Sequence, residues 1–358
     1  MHTQVLPATP QAIAQGAKLL QEGQLVAFPT ETVYGLGANA LEEAAVRKIF
    51  AAKGRPGDNP LIVHVPEIAA ADSLCHLTRE ARALMAAFCP GPLTLLLPKK
   101  DRIPAAVNAG LPSVAIRIPS HPVAQALLRA CELPIAAPSA NSSGKPSPTA
   151  AAHVLQDLEG KLPLILDGGP CDVGLESTVL DMTAIPPTLL RPGAVTPEML
   201  LAVLPGVRVA DSVLRPLQQG EKALSPGMMY RHYAPSAKLI LVKGRPGPVR
   251  DRCEALCRQA LEEGTAARIL AFEEHLPLYP RDLPLVGIGS LAQPETVARR
   301  LFTLLRQMDA EGAQLLLCEV PEAEGIGLAV LNRLYRAASF CVQDADQPSP
   351  APSGSPSP

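Results

Sequence analysis

Apolar residues recur at helical spacing over 10–23 (PQAIAQGAKLLQEG), and Gly23 closes the run. The short apolar stretch LVAFP at 25–29 predicts a buried strand stopped by Pro29. PTETVYGLGANA then reads as the loop leaving that strand. Helical spacing returns from Leu41 to Ala52, with Ala45, Ile49 and Ala52 on one face. LIVHV at 61–65 predicts a strand, 78–88 a helix, and PGPLTLLLP at 90–98 a turn feeding a strand. SVAIRIP at 113–119 alternates, with Val114, Ile116 and Ile118 on one face and Ser113, Ala115 and Arg117 on the other. Residues 121–130 predict a helix, and LPIAAPSANSSG a strand running into a loop. Interleaved strands and helices make this an α/β unit, and its polar motifs fall where strands end, which is where open α/β sheets bind ligands.

The periodicity lapses over 206–236, which reads as a linker. It is a peculiar linker, because Tyr230, Arg231, His232 and Tyr233 stand together where Gly, Ser or Pro would be expected. Alternation of strand and helix resumes over 237–343: KLILVK at 238–243, a helix at 248–263, strands at 267–272 and 285–290, a helix at 293–309, QLLLCEV at 314–320 and a helix at 326–340. This predicts a second, smaller α/β unit. The Gly-Ile-Gly at 287–289 is too short for a dinucleotide fingerprint and reads as a turn. Residues 344–358 are rich in Pro and Ser and predict a disordered tail.

Composition changes this picture mainly by exclusion. Of 358 residues, 47% are hydrophobic and 18% charged, which suits packed domains rather than a disordered chain. The net charge of −2 gives no global attraction for nucleic acid, and the lack of Trp removes one favoured base-stacking side chain. No apolar run is long enough to span a bilayer, and the N-terminus lacks the form of a signal peptide, so the expected location is cytoplasmic. The eight cysteines include no C-x-x-C pair. Reduced thiols are expected, with Cys75, Cys89, Cys131 and Cys318 as small core residues and no zinc site.

The chemistry concentrates in the first 195 residues. Lys53-Gly54-Arg55-Pro56-Gly57-Asp58-Asn59-Pro60 sets two cations in a segment that reads as open loop, suited to phosphate or carboxylate; an ordinary basic turn is the other reading. It is not a P-loop. Thr30, Glu31 and Thr32 offer hydroxyls and a carboxylate at a strand exit. His64 lies within a strand, where a core role is the plainer reading. Arg117, in an otherwise apolar strand with Ser113, requires an anion, either a structural Glu or a ligand carboxylate. Pro138-Ser139-Ala140-Asn141-Ser142-Ser143-Gly144-Lys145-Pro146-Ser147 combines hydroxyls with accessible backbone amides, as nucleotide sites do. Glu176-Ser177-Thr178-Val179 and Arg191-Pro192-Gly193 add hydroxyls and another cation. No Cys–His or Ser–His–Asp nucleophile arrangement stands out. The residues alone point to a nucleotide-type anion site with a carboxylate-bearing co-substrate, whose work is positioning and charge stabilisation.

In order and spacing, PTETVYGL, KGRPGDNPL, VAIRIP, APSANSSGKPSPT, ESTV and RPG resemble the threonylcarbamoyl-AMP synthase family with its YrdC-like domain. The resemblance spans residues 10–205, and SPGMMYRHYAP with the second α/β unit extends it to 343 in the manner of the two-domain form. It implies a twisted, mixed open sheet for residues 1–205 and a Rossmann-like second domain. It implies that L-threonine, bicarbonate or CO2, and ATP give L-threonylcarbamoyl-AMP, pyrophosphate and water, a nucleotidyl transfer that begins threonylcarbamoyladenosine modification of tRNA. Lys53, Arg55 and Asn59 would hold the ATP phosphates, Lys53 and Arg55 also neutralising charge in the catalytic step. Ser139, Asn141 and Ser147 would line the nucleotide, with Ser113 nearby and Arg191 at the nucleotide end. Thr32, His64, Arg117, Ala137 and Ser177 would hold threonine, Arg117 on its carboxylate. Tyr230 and Tyr233 would close the linker over the nucleotide as a lid. Mg2+ would ride on the phosphates, with no protein ligand. Met229 departs from the polar or basic residue usual there. Expected partners are the transferase proteins that take the product, with a weak contact to tRNA or double-stranded RNA, and no membrane.

Other readings predict different features. A double-stranded RNA module would carry a basic stripe rather than cations in Gly-rich loops. A hydrogenase-maturation carbamoyltransferase would carry Cys-rich zinc motifs and an acylphosphatase-like segment, both absent from this sequence. A regulatory nucleotide-binding protein would bind ATP without releasing pyrophosphate.

Overall fold

The computed structural model describes residues 2–216 and 232–347. Tyr230, Arg231 and Met229 of the expected lid, and the tail beyond 347, lie outside the described residues.

The first unit is built on an open, mixed sheet of eleven strands. In chain order the strands are β1 (Gln4–Pro7), β2 (Val26–Phe28), β3 (Gly35–Asn39), β4 (Ile62–His64), β5 (Leu93–Pro98), β6 (Ser113–Arg117), β7 (Ile135–Ala136), β8 (Leu164–Asp167), β9 (Thr178–Asp181), β10 (Thr188–Arg191) and β11 (Arg208–Val209). Their order across the sheet is β1-β8-β2-β3-β7-β4-β6-β5-β9-β10-β11. Helices α1 (Pro10–Gln21), α2 (Glu43–Lys53), α3 (Ile68–Asp72), α4 (Arg79–Phe88), α5 (Ala105–Asn108), α6 (Pro122–Cys131), α7 (Ala151–Leu158) and α8 (Pro197–Val203) connect them. Thr9, Thr78 and Thr196 cap α1, α4 and α8 by accepting backbone N–H groups.

Two local expectations change. PTETVYGLGANA is not all loop: Gly35–Asn39 forms β3, antiparallel to β2. The glycines hid this strand from propensity, yet Gly37 is required, since a Cβ there would stand 2.9 Å from Ile135 and from Phe28. Lys53 is not in open loop either. It is the last residue of α2, and Gly54, at φ 61, is that helix's left-handed cap.

The alternation in β6 decides where a site can form. Val114, Ile116 and Ile118 join the helix-covered core. Ala115 instead meets Ile62, Leu96, Val179 and Leu190 in a small apolar floor on the other face. Polar side chains at the ends of these strands border that floor.

The second unit has a five-stranded, all-parallel sheet of β12 (Lys238–Lys243), β13 (Ala267–Ala271), β14 (Leu285–Gly287), β15 (Leu315–Glu319) and β16 (Val342–Asp344), ordered β14-β13-β15-β12-β16. Helix α9 (Pro246–Glu262) packs on one face, with Cys253 and Cys257 in the core there. Helices α10 (Pro294–Ala310) and α11 (Gly325–Ala337) pack on the other. The unit is Rossmann-like in layering, although its strand order differs from 3-2-1-4-5. The first sheet's last strand, at 208–209, falls just inside the stretch read as linker. Asp344 ends β16 and Asp346 pairs with Arg245, so 344–347 are part of the fold rather than of a disordered tail. Among the described residues no helix is long and apolar enough to cross a membrane.

The α10/α11 face also carries the seam with the first unit. Val33 and Leu175 enter its core. Arg306 donates to Asp157, Arg333 to Glu176, Arg336 to the Ser212 carbonyl, and Arg299 to that of Asp172.

Candidate active site

Register across the first sheet assembles a polar row. His64 and Arg117 are partners in the parallel β4–β6 pair, and Thr94 faces Arg117 in the antiparallel β5–β6 pair. The Thr94 hydroxyl lies 2.7 Å from that of Ser177 at the entry to β9. Arg191 ends β10 and turns back, donating from Nε to the Ser177 carbonyl (2.9 Å) and from Nη2 to its hydroxyl (3.1 Å). Strand ends thus set His64, Arg117, Thr94, Ser177 and Arg191 side by side.

All of this row but Thr94, which stands behind Ser177, lines one cavity. Arg55, His64, Arg117, Ala137, Ser139, Ser177, Arg191 and Tyr233, all expected from sequence, line it together with Thr30, Gly35, Glu176 and His232. The remaining candidates stand behind the wall. Thr32 is buried with its hydroxyl 2.9 Å from that of Thr30, which itself donates to the Val33 carbonyl. Asn141 accepts from the Ser139 hydroxyl (2.5 Å) and donates to the Ser142 and Lys145 carbonyls. Ser147 donates to Glu176. Asn59 is buried near Arg55, its side-chain oxygen unpaired. Ser113 opens β6 roughly 13 Å along the strand from Arg117. Lys53 does not line the cavity: its Nζ donates to the carbonyls of Ser139 and Asn141. Burial, then neighbouring Arg55, hold its pKa well below the usual range for lysine.

The charges are buried and only partly answered. Arg117, 4% exposed, has Nη2 2.8 Å from Glu31 Oε1. That contact is an ion pair by distance but is misaligned as a hydrogen bond, so Nε and Nη2 of Arg117 and Oε1 of Glu31 all lack a hydrogen-bond partner. Both sequence alternatives therefore apply: a structural Glu is present, and donors remain for a ligand. Arg55 donates to the Asn59 and Pro60 carbonyls while its Nε is unpaired. Burial lowers its pKa to about 10, still a cation at neutral pH. His64 is not a satisfied core residue. Its Nδ1 has no partner, and burial, then Arg117, push its pKa down to about 3, so the ring is neutral. His232 is similar, with Nε2 unpaired and a pKa of about 3 caused by burial, then Arg55.

Glu176 and Tyr233 close the cavity on the side of the second unit. Burial works to raise the Glu176 pKa, but Arg333, then Arg191 and Ser147, hold it below the usual value. Tyr233 adopts a left-handed φ of 62° and packs its ring 5.3 Å from Phe302 and 5.8 Å from the Arg333 guanidinium. Ala234 N–H donates to the Gly144 carbonyl, fixing the returning chain against the Ser-rich loop. Sequence reading missed Glu176, Thr94 and Arg333 as site residues. Glu176 was visible beside Ser177, whereas an arginine in an amphipathic helix gives no local sign that it points into another domain.

Buried cations and unspent donors at strand ends of a mixed sheet, walled by a second α/β unit, define a two-unit α/β enzyme with an anion-receiving cavity. Residues 18–193 match the Sua5/YciO/YrdC family, described as "Telomere recombination", and residues 195–339 match the "Threonylcarbamoyl-AMP synthase, C-terminal domain". The chain belongs to the threonylcarbamoyl-AMP synthase family, in its two-domain form. It is 46% identical to the threonylcarbamoyl-AMP synthase of Pyrococcus abyssi, covering 90% of this chain and 93% of that one. It is 47% identical to that of Bacillus subtilis, covering 94% and 95%. The crystal structure of P. abyssi Sua5 complexed with L-threonine superposes with a TM-score of 0.90 at 44% identity, covering 96% of this chain and 99% of that one.

Proposed function

We propose that the protein is an L-threonylcarbamoyladenylate synthase, which converts L-threonine, bicarbonate and ATP to L-threonylcarbamoyl-AMP, pyrophosphate and water. The observation that carries the reading is the buried Arg117, with donors left over after Glu31, in one cavity with Arg55 and Arg191. One cation answers an amino-acid carboxylate and the others a polyphosphate.

In this scheme Arg117 holds the threonine carboxylate. His64, a neutral ring beside it, accepts a hydrogen bond without adding charge. Thr94 and Ser177 orient the remaining polar groups. The threonine amine adds to CO2 and gives up a proton, or adds to bicarbonate with loss of water, to give a carbamate. A carbamate oxygen attacks the α-phosphorus, and the bond to the β-phosphate oxygen breaks, releasing pyrophosphate. Arg55 and Arg191 offset the charge that grows on the phosphates, and the narrow cavity brings the reactants together. Lys53 braces the Ser139–Asn141 loop through its carbonyl contacts, and reaching a phosphate would require it to leave them. Tyr233 covers the nucleotide from the side of the second unit.

Mg2+ would be brought in by ATP and would supply neutralisation of phosphate charge. Among the described residues no cluster of three His, Cys, Asp or Glu is placed to hold a metal ion, and the carboxylate in the cavity wall, Glu176, and the one beside Arg117, Glu31, already face arginines. The product is a reactive mixed anhydride, which calls for a partner protein that transfers the threonylcarbamoyl group toward tRNA.

The test is pyrophosphate release from MgATP. Release should require both threonine and bicarbonate, be weak with serine, and fall at least about a hundredfold in Arg117→Ala, the scale of a lost buried charge contact. Threonine-independent release, or none with ATP still bound, would sink the reading.

A further inference from the structure

We propose that Arg333, from the second unit, is a positioning residue of the active site: it fixes Glu176 and keeps that carboxylate from drawing on Arg191. The inference rests on the synthase reading for its substrate, but its geometry stands alone. Arg333 is 0% exposed. Its Nε donates to Glu176 Oε2 at 2.7 Å and its Nη2 to the Glu176 carbonyl at 3.0 Å. Its Nη1 donates to the Pro192 carbonyl at 2.9 Å and to Asn332 Oδ1 at 2.8 Å. Glu176 precedes Ser177 and Pro192 follows Arg191, so one guanidinium grips both strands next to the bonded Ser177–Arg191 pair. The same guanidinium lies beneath the Tyr233 ring.

The charge argument gives this grip a consequence. Glu176 lines a cavity that must receive anions. In a low-dielectric site an unanswered carboxylate would repel a polyphosphate and attract the cations meant for it. Arg333 neutralises that carboxylate from behind the wall, so less of the positive charge of the cavity arginines is spent on Glu176. The buried pair Arg306–Asp157 has the same chemistry at the same seam, but neither residue lines the cavity, so it serves as a structural comparison.

The experiment uses the full chain and calorimetric binding of ATP and of inorganic pyrophosphate at several salt concentrations, beside threonine-dependent pyrophosphate release. Arg333→Met should weaken ATP binding about tenfold or more and flatten its salt dependence. Glu176→Gln alone should bind ATP as tightly as the wild type or tighter. The double variant should recover to within a few-fold of wild type. A purely structural role predicts the opposite pattern, with Glu176→Gln as damaging as Arg333→Met and no recovery in the double variant; that result overturns the proposal. If Arg333→Met does not fold, the direction of the Glu176→Gln effect decides. Absence of threonine-dependent release in the wild type would refute the synthase reading instead, while the binding comparison still judges Arg333.

Discussion

At the residue scale, the cavity is defined by groups that ordinary packing leaves unsatisfied. Buried polar atoms are nearly always hydrogen-bonded, so His64 Nδ1 and two Arg117 nitrogens without partners mark where a ligand belongs. The sequence made Arg117 conspicuous, because a cation in an alternating apolar strand requires an anion. It made His64 look bland, because nothing local distinguishes a satisfied histidine from an orphaned one. The neutral histidines also have a pH signature. For His64 and His232 the folded-state pKa of about 3 lies below the ordinary histidine value of 6.5, so the folded state refuses a proton that the unfolded chain accepts. Their contribution is complete above pH 6.5 and is lost as pH falls from there toward 3, by up to ~1.4 kcal/mol per pH unit for each ring. The urea midpoint should therefore drop between pH 6.5 and 5, before most carboxylates titrate. His64→Gln should make that drop shallower; an unchanged slope would mean that His64 is not buried neutral.

Elements were legible where their pattern was simple. Helices α1, α4, α6 and α10 and strands β5, β6, β12 and β15 lie within a few residues of the expected positions, because their apolar periodicity is regular. The two-residue strand β11 and the glycine-rich β3 owe their existence to neighbours rather than to propensity, so local reading gave them little weight, whereas the equally short β7 was expected from the apolar run at 133–137. The glycines of the polar motifs divide in the same way. At Gly57 a Cβ would meet nothing within 4 Å, so Gly57→Ala should be nearly neutral. At Gly193 a Cβ would stand 2.5 Å from the Thr178 nitrogen and 2.9 Å from the Glu176 carbonyl oxygen. Gly193→Ala must push β10 away from the start of β9, where Ser177 and Arg191 meet. A loss of about 1–3 kcal/mol of stability is expected, with a fall in kcat/KM larger than the change in melting temperature accounts for. Equal behaviour of the two variants in these assays would contradict the close approach.

At the scale of the molecule, the two α/β units were legible as separate alternations, but their seam was not, since no single-sequence signal tells an interfacial arginine from a surface one. Arg306→Ala tests how much the seam holds. It leaves Asp157, whose side chain is 0% exposed, with Lys145 as its remaining ion-pair partner. The cost should fall near the lower end of ~3–5 kcal/mol. Calorimetry should then resolve two transitions in place of a more nearly common one; a single unshifted transition would show the pair to be inert. The Arg333 contact has a further consequence, for behaviour on dilution. A cavity wall supplied by a separate polypeptide would be lost as concentration fell below that complex's dissociation constant. Here the second unit is tethered, and a short tether presents its end at an effective concentration on the order of millimolar. A seam with an intrinsic dissociation constant of ~10 μM would then stay closed in ~99% of molecules at any protein concentration. Completeness of the active site becomes a property of each molecule and not of the solution, so specific activity should be the same at nanomolar as at micromolar enzyme.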